Sequence, residues 1–344
     1  MYNKDHILTH INKDIVYGKF NNLEPIFYIR KLLTMIFIKL NYDGHPLIEI
    51  IVDYLLLTSE SLNEILYEKT INNSYNISIT LLDYTVMTND IKITKLLLQQ
   101  DRIDINKSSI NEGPSNIHTP LYFACEYNYL SLVKILLKEP KINVNSIHQI
   151  DGTPLMIACK FNNIEIVKEL LDHKDININL ILNNNMNLSA FIAATMSNNL
   201  EILKFLVDKG ADYNHCLTLG NTVLICYIKI FTKNGMKKHK INYEIIKYFI
   251  KLGIDVNKKS VMKTSLYYAI RLKDIKIIEL LLESKADFNY EFEYKNGQIM
   301  TLLDYISYKY MKYKTKNPCL ENYYSKIRSL FEYHVNYPPL TLEL

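Results

Sequence analysis

The stretch TPLMIACKFNNIEIVKELLDHKDININ, from Thr153 to Asn179, holds a turn, a short apolar run, a polar break, a second apolar run and a closing Asn. The same order returns along the chain with different residues. Units open at TLLDYT (Thr80), TPLYFA (Thr119), TPLMIA (Thr153), SAFIAA (Ser189), TVLICY (Thr222), TSLYYA (Thr264) and TLLDYI (Thr301), and successive openings lie 39, 34, 36, 33, 42 and 37 residues apart. A period of this size predicts a stack of supersecondary units, each burying its apolar face only against its neighbours. A chain of that kind has no need of a single central core, so a length of 344 residues does not force a division into separate globular domains.

The second halves of the units agree with one another. IKITKLLLQQ (Ile91), LSLVKILLKE (Leu130), IEIVKELLDH (Ile164), LEILKFLVDK (Leu200), YEIIKYFIKL (Tyr243) and IKIIELLLES (Ile275) place apolar residues at i, i+2, i+3, i+6 and i+7, most of which one buried helical stripe accounts for. Each then closes on Asn106, Asn145, Asn179, Asn214, Asn257 or Asn289. Asn suits such a turn because it tolerates left-handed backbone and bonds nearby main chain through its side chain.

On these openings, helix pairs and closing Asn residues the chain resembles the ankyrin-repeat family, whose period is about 33 residues, over residues 80 to 334. The resemblance implies an all-α fold, an ankyrin-repeat solenoid of stacked helix-turn-helix units with finger loops and helical caps at both ends. Residues 1–40 are expected to form an N-terminal helical cap, 41–79 a degenerate unit with Ile48 in its second helix and its closing turn at Ile71-Asn72, 80–300 six repeats, 301–334 a C-terminal capping repeat and 335–344 a tail. In the family the opening reads Thr-Pro-Leu-His. Here Asp83, Tyr122, Met156, Ile192, Ile225, Tyr267 and Asp304 stand at the His position, so the bonding between neighbouring fingers must differ. The family's Gly-Ala-Asp turn survives at Gly210-Ala211-Asp212; elsewhere its place is taken by PKIN, KDIN or KAD, which predicts one extra residue in several loops. The last unit reads as interrupted by YKYMKYKTKNPCLEN before its outer helix.

Signatures of catalysis were sought by the mechanics each requires. The nine Gly are scattered, with no Gly-rich phosphate loop; no HExxH or CxxC pair gives metal-ligand spacing; no GxSxG elbow could activate a serine. Cys125 and Cys159 fall at the same place in consecutive units, which marks a small buried residue rather than a metal pair, and Cys226 is read the same way. No catalytic residue, cofactor or metal is therefore expected. A net charge of +4 with both signs interspersed gives no prior for nucleic acid. Five cysteines, an odd number, point to a reduced, cytoplasmic setting. The run Ile26 to Leu40 carries Arg30, Lys31 and Lys39 and falls short of a membrane span.

What the resemblance implies about function is a non-catalytic scaffold or adaptor, a monomer that binds a protein partner on its concave face. The rival is an adaptor of the kind found in viruses or intracellular parasites, joining a target to host machinery through a terminal module. The partner-binding positions carried over from the family are Met87, Glu126, Tyr127, Lys160, Phe161, Met196 and Arg271, late in the first helices, and Tyr290, Phe292 and Tyr294 in a finger loop. Aromatic and Arg side chains carry most interface energy, so the aromatic and Arg members of that set are the expected anchors. A basic insertion, Ile230 to Asn242, is expected as a solvated loop.

Overall fold

The computed structural model describes residues 65–71, 75–101, 103–107, 109–110, 117–148, 152–183, 187–215, 220–232, 241–260, 263–294 and 297–336. The expected N-terminal cap, the Ile48 helix, the basic side chains from Lys233 to Lys240 and most of the tail lie outside these. The chain divides into two compact units, Met1–Asn143 and Val144–Leu344.

In the first unit β1 (Ile65–Ile71) and β2 (Tyr75–Thr80) form an antiparallel hairpin, followed by α1 (Leu81–Met87), α2 (Ile91–Leu98), β3 (Ser109–Ile110), β4 (Ile117–His118), α3 (Pro120–Glu126) and α4 (Leu130–Leu136). The four strands make one sheet in sequence order, with Ser78 opposite Ile110. The described part of residues 41–79 thus departs from the helical unit expected there: Ile71 ends a strand. The segment NISIT alternates β-branched with small polar residues, a period of two that suits a pleated strand better than a helix.

The second unit runs α5 (Pro154–Lys160), α6 (Ile164–Leu171), α7 (Ala190–Met196), α8 (Leu200–Asp208), α9 (Val223–Thr232), α10 (Tyr243–Lys251), α11 (Ser265–Leu272), α12 (Ile275–Glu283), β5 (Glu291–Glu293), β6 (Ile299–Thr301), α13 (Leu302–Tyr313) and α14 (Pro318–Asn336). First helices pack on first helices, α5 on α7, α7 on α9, α9 on α11; second helices do likewise, α6 on α8, α10 on α12, α12 on α14. The first helices are buried almost all round, as Leu155 to Cys159 show, because a neighbour covers each side. The second helices bury one stripe, in α6 Ile166, Val167, Leu170 and Leu171.

The recurrent Thr or Ser at each opening has a common physical task. Thr80, Thr119, Thr153, Ser189, Thr222 and Thr301 accept a hydrogen bond from the backbone N–H three residues on, at 3.1–3.4 Å, satisfying a donor the helix start would otherwise leave bare. Where Asp stands at the third position the bond is reciprocated: Asp83 accepts from the N–H of Thr80 and Asp304 from that of Thr301, completing capping boxes. Thr264 keeps the cap backbone without a side-chain cap bond, and its N–H donates to the Tyr290 hydroxyl at 3.2 Å.

The supposed interruption of the last unit is a longer helix pair. α13 has 12 residues and α14 has 19, so YKYMKYKTKNPCLEN is mostly helical. Asn317 turns the chain into α14 by accepting from the Leu320 N–H, and Pro318 takes the first helical position, where its missing N–H costs nothing. α14 continues to Asn336, two residues into the expected tail.

The closing turns fall into two classes. After α8, α10 and α12 the chain uses Gly210 (φ 87), Gly253 (φ 76) and Lys285 (φ 62), and the following N–H reaches back five residues, as from Ala211 to the Leu206 carbonyl. After α4 and α6 the loop has its expected extra residue; no residue there has positive φ, and a second tight turn forms, Ile142 N–H to Glu139 and Ile176 N–H to His173.

Both classes end in the same device. The amide of Asn145 donates to the Asp175 carbonyl and accepts from the Asn177 N–H; Asn179 does so with Gly210 and Asp212, and Asn257 with Lys285 and Asp287. In the first unit Asn106 holds Lys141 and Asn143 in the same way. Asn106, Asn145, Asn179 and Asn257 therefore each clamp the turn of the next repeat, beyond the local capping that their residue type suggests. Asn179→Ala is expected to cost about 1–2 kcal/mol, two hydrogen bonds at an exposed site, and Asn179→Asp, which keeps only the acceptor, to cost less than Ala. Urea melts would measure both, and equal stability of Ala and native chains would refute the clamp.

Candidate partner-binding surface

The expected binding positions sit where the first helices end. Met87 is the last residue of α1, Glu126 of α3, Lys160 of α5 and Met196 of α7, while Tyr127 and Phe161 are the C-caps of α3 and α5. The next backbone position after Tyr127 and Phe161 is left-handed, at Asn128 (φ 60) and Asn162 (φ 64), which stops the helix and turns the chain sharply. This turn holds the cap side chain at the surface of an otherwise buried helix: Tyr127 is 45% exposed and Phe161 48%.

Both rings are held in place. Tyr127 stacks on Phe123 (6.3 Å between centroids, 6° between planes) and meets Tyr129 at 5.8 Å, and the Tyr129 hydroxyl donates to the Met87 carbonyl at 3.4 Å. Partial burial, with Glu126 and Tyr129 adding to it, raises the Tyr127 phenol above its usual value. In the second unit the Lys160 ammonium lies 5.7 Å over the Phe161 ring. Met87, Glu126 and Met196 are half-buried, and Arg271 is exposed in the last turn of α11.

The three finger-loop positions separate. Phe292 is fully buried and Tyr290 is 5% exposed, so neither is a surface anchor. Phe292 packs against Tyr267 (5.1 Å) and Tyr305 (5.9 Å), and Tyr290 offers its hydroxyl to the Thr264 N–H. The reason is the alternation in YEFEY: residues 290, 292 and 294 share one side of an extended strand, Glu291 and Glu293 take the other, and the aromatic side faces the core. Tyr294 is half-buried, its ring 5.3 Å from Tyr305 and 5.9 Å from Tyr308. Reading the period of two across this loop would have removed Tyr290 and Phe292 from the surface set.

Further lysines lie over aromatic rings of the second unit, among them Lys229 late in a first helix: Lys263 over the Tyr267 ring (5.0 Å), Lys229 over Tyr268 (5.1 Å), and Lys309 over Tyr305 (5.2 Å) and Tyr294 (5.8 Å). Cys125 and Cys159 are fully buried, and burial raises the Cys226 thiol to about 11, so none of the three is a ready thiolate. Among the described residues no group of His, Cys, Asp and Glu could hold a metal ion, and no helix is long and apolar enough to cross a membrane.

The family model described as ankyrin repeats (three copies) matches residues 49–148 and 141–215. Over 213 residues, 60% of the chain, the sequence is 30% identical to alpha-latrotoxin-Lg1a of Latrodectus geometricus, of which the match spans 14% of the length. The crystal structure of the human ASB11 ankyrin repeat domain superposes with a TM-score of 0.52 at 21% identity, covering 66% of this chain and 91% of that one, a likeness of fold.

Proposed function

Because this chain is an ankyrin-repeat protein, and ankyrin repeats are general protein–protein interaction modules, we propose that it works as a scaffold or adaptor, recognising a protein partner through the ends of its first helices. The observation that supports this reading most directly is the pair of exposed aromatic caps, Tyr127 and Phe161, each held by a left-handed Asn turn on a rigid helix. Aromatic side chains already fixed before binding lose little entropy on contact, which favours them as anchors. Arg271 extends the same class of position to α11. The reading includes no catalysis, and it places the protein in the cytoplasm as a monomer.

Affinity capture from the cells that make the protein tests it, comparing the native chain with Tyr127→Ala, Phe161→Ala and Arg271→Ala combined. Partners are expected to be lost from a variant that melts like the native chain. The same partners surviving all three changes would place binding elsewhere.

A further inference from the structure

We propose that the surface formed by α11, the β5–β6 hairpin and α13 docks an acidic, extended segment of a protein partner, held by Lys259, Lys263, Arg271, Lys309 and Lys312. The inference rests on the partner-binding reading above and adds the chemistry of what is bound.

The three elements are joined by aromatic rings. Tyr267 of α11 meets Phe292 of β5 at 5.1 Å, Phe292 meets Tyr305 of α13 at 5.9 Å, and Tyr294 bridges Tyr305 and Tyr308. Cations lie on this platform: Lys263 at 5.0 Å from the Tyr267 centroid, Lys309 at 5.2 Å from Tyr305, and Lys259 at 5.4 Å from Tyr290. Arg271 is exposed on α11, where its charge acts on Tyr305, and Lys312 is exposed on α13, 6.0 Å from the Tyr313 ring that Lys309 also faces at 5.9 Å.

These five cations have no carboxylate within ion-pair distance among the described residues. Elsewhere in the same unit Lys168 pairs with Glu165 and Glu201, Lys209 with Asp172, and Lys247 with Glu244, on or next to the second helices. Acids on β5, in the first turn of α13 and at the start of α12 are directed to other work. Glu291 and Glu293 stand on the side of β5 opposite Phe292, Asp304 accepts from Thr301, and Asp274 caps α12 and accepts from the Tyr243 hydroxyl. Between Asp304 and Glu321 the chain has Lys309, Lys312, Lys314 and Lys316 and no acid. A ring face attracts an ammonium without cancelling its charge, so the platform positions the cations and leaves their field open to an anion.

The occupant is peptide rather than single-stranded nucleic acid because base stacking needs open ring faces. Here Lys309 lies over Tyr294 and Tyr305, Lys263 over Tyr267, and Phe292 is fully buried. What the surface presents is ammonium and guanidinium groups, beside the half-buried Tyr294 and the exposed Tyr308, a set of donors for carboxylates.

The test uses the full chain and a fluorescein-labelled dodecapeptide of alternating aspartate and alanine, with the asparagine–alanine peptide as control, read by fluorescence anisotropy. The aspartate peptide is expected to bind at least about tenfold more tightly than the control, and several-fold more weakly when salt rises from about 50 to about 200 mM. Lys259→Glu, Arg271→Glu and Lys312→Glu together, all at exposed positions, should weaken it at least about tenfold with an unchanged melt, while Lys168→Glu on the second-helix side leaves it unaltered. The proposal is overturned if the two peptides bind alike, if the triple variant binds as well as the native chain, or if a twelve-nucleotide oligouridylate or phosphatidylserine vesicles bind more tightly than the aspartate peptide. Captured partners that depend on Tyr127 and Phe161 while the acidic probe fails would remove this inference alone; capture that ignores those residues would remove the reading beneath it.

Discussion

Leu170→Asp should break the second unit apart during unfolding. Leu170 is fully buried in the stripe of α6, which packs on α5 and on α8. Truncating a buried Leu costs about 2–5 kcal/mol, and a carboxylate left in the space adds the cost of an uncompensated polar group. A loss of at least about 4 kcal/mol is expected by combining these two effects. In a repeat stack each unit is stabilised by its own folding and by its interfaces with its neighbours, so the damage falls first on α5 to α8. A urea melt followed by circular dichroism should therefore change from one transition to two, the earlier one belonging to the repeats around α6. Leu170→Met, which conserves volume, should cost under about 1.5 kcal/mol and keep a single transition. A Leu170→Asp chain with the native melt would refute the assignment of α6 as an internal second helix.

That helix was legible because its period survives any choice of partner. Ile166, Val167, Leu170 and Leu171 follow the 3.6-residue stripe, and Thr153 and Ser189 bracket the unit with N-cap chemistry that depends only on residues three positions apart. The extra residue in the loops after α4 and α6 was legible for the same local reason, since a missing Gly removes the left-handed turn. Lys285 shows the limit of that rule: it takes φ 62 where Gly210 and Gly253 stand in the equivalent turns, because the reach from Ala286 back to Leu281 requires the conformation whatever the side chain.

What stayed hidden depended on pairing across units. Asn179 reads locally as a turn residue, and only the next repeat's position makes it a clamp on Gly210 and Asp212. The helical run from Tyr308 to Tyr313 looked like an insertion because its length broke the repeat, although Asn317-Pro318 signals a helix start as clearly as Thr153-Pro154 does. Among the candidate site residues, Tyr127 and Phe161 follow from their place at a helix end. Tyr290 and Phe292 were drawn to the surface by their residue type, against the alternation that buries them. The pairing of cations over one set of rings could not be read from the sequence, since Lys263 and Lys309 are 46 residues apart and meet only in the fold, where Tyr267 lies 6.1 Å from Tyr305 and Phe292 packs on both.

The tyrosines give the second large effect, unfolding in alkali. Burial raises the Tyr227 phenol to about 12 and the Tyr324 phenol, with Tyr313 and Tyr294 adding to it, to about 12; burial raises Tyr290, Tyr305 and Tyr323 as well. An unfolded tyrosine ionises near pH 10. Because the folded values lie above that, folding favours the neutral phenols, and the stability they contribute is fully present below about pH 10 and is lost as pH climbs towards about 12. Tyr227 shows the structural consequence. Its hydroxyl donates to the Asn198 side chain at 2.5 Å and accepts from the Asn242 N–H at 2.9 Å, tying α7's following turn to the start of α10, so ionisation removes the donor at a buried junction. Tyrosinate absorbance at 295 nm should rise in two steps, the exposed phenols near pH 10 and the rest together with loss of helical circular dichroism between about pH 10 and 12. Tyr227→Phe should be less stable at neutral pH by about 1–3 kcal/mol, for the unpaired Asn242 N–H, yet lose less further stability on going to alkali. A single absorbance step near pH 10 with the helices intact would mean that these phenols are open to water and that the tyrosine-lined joints of the second unit are not sealed as described.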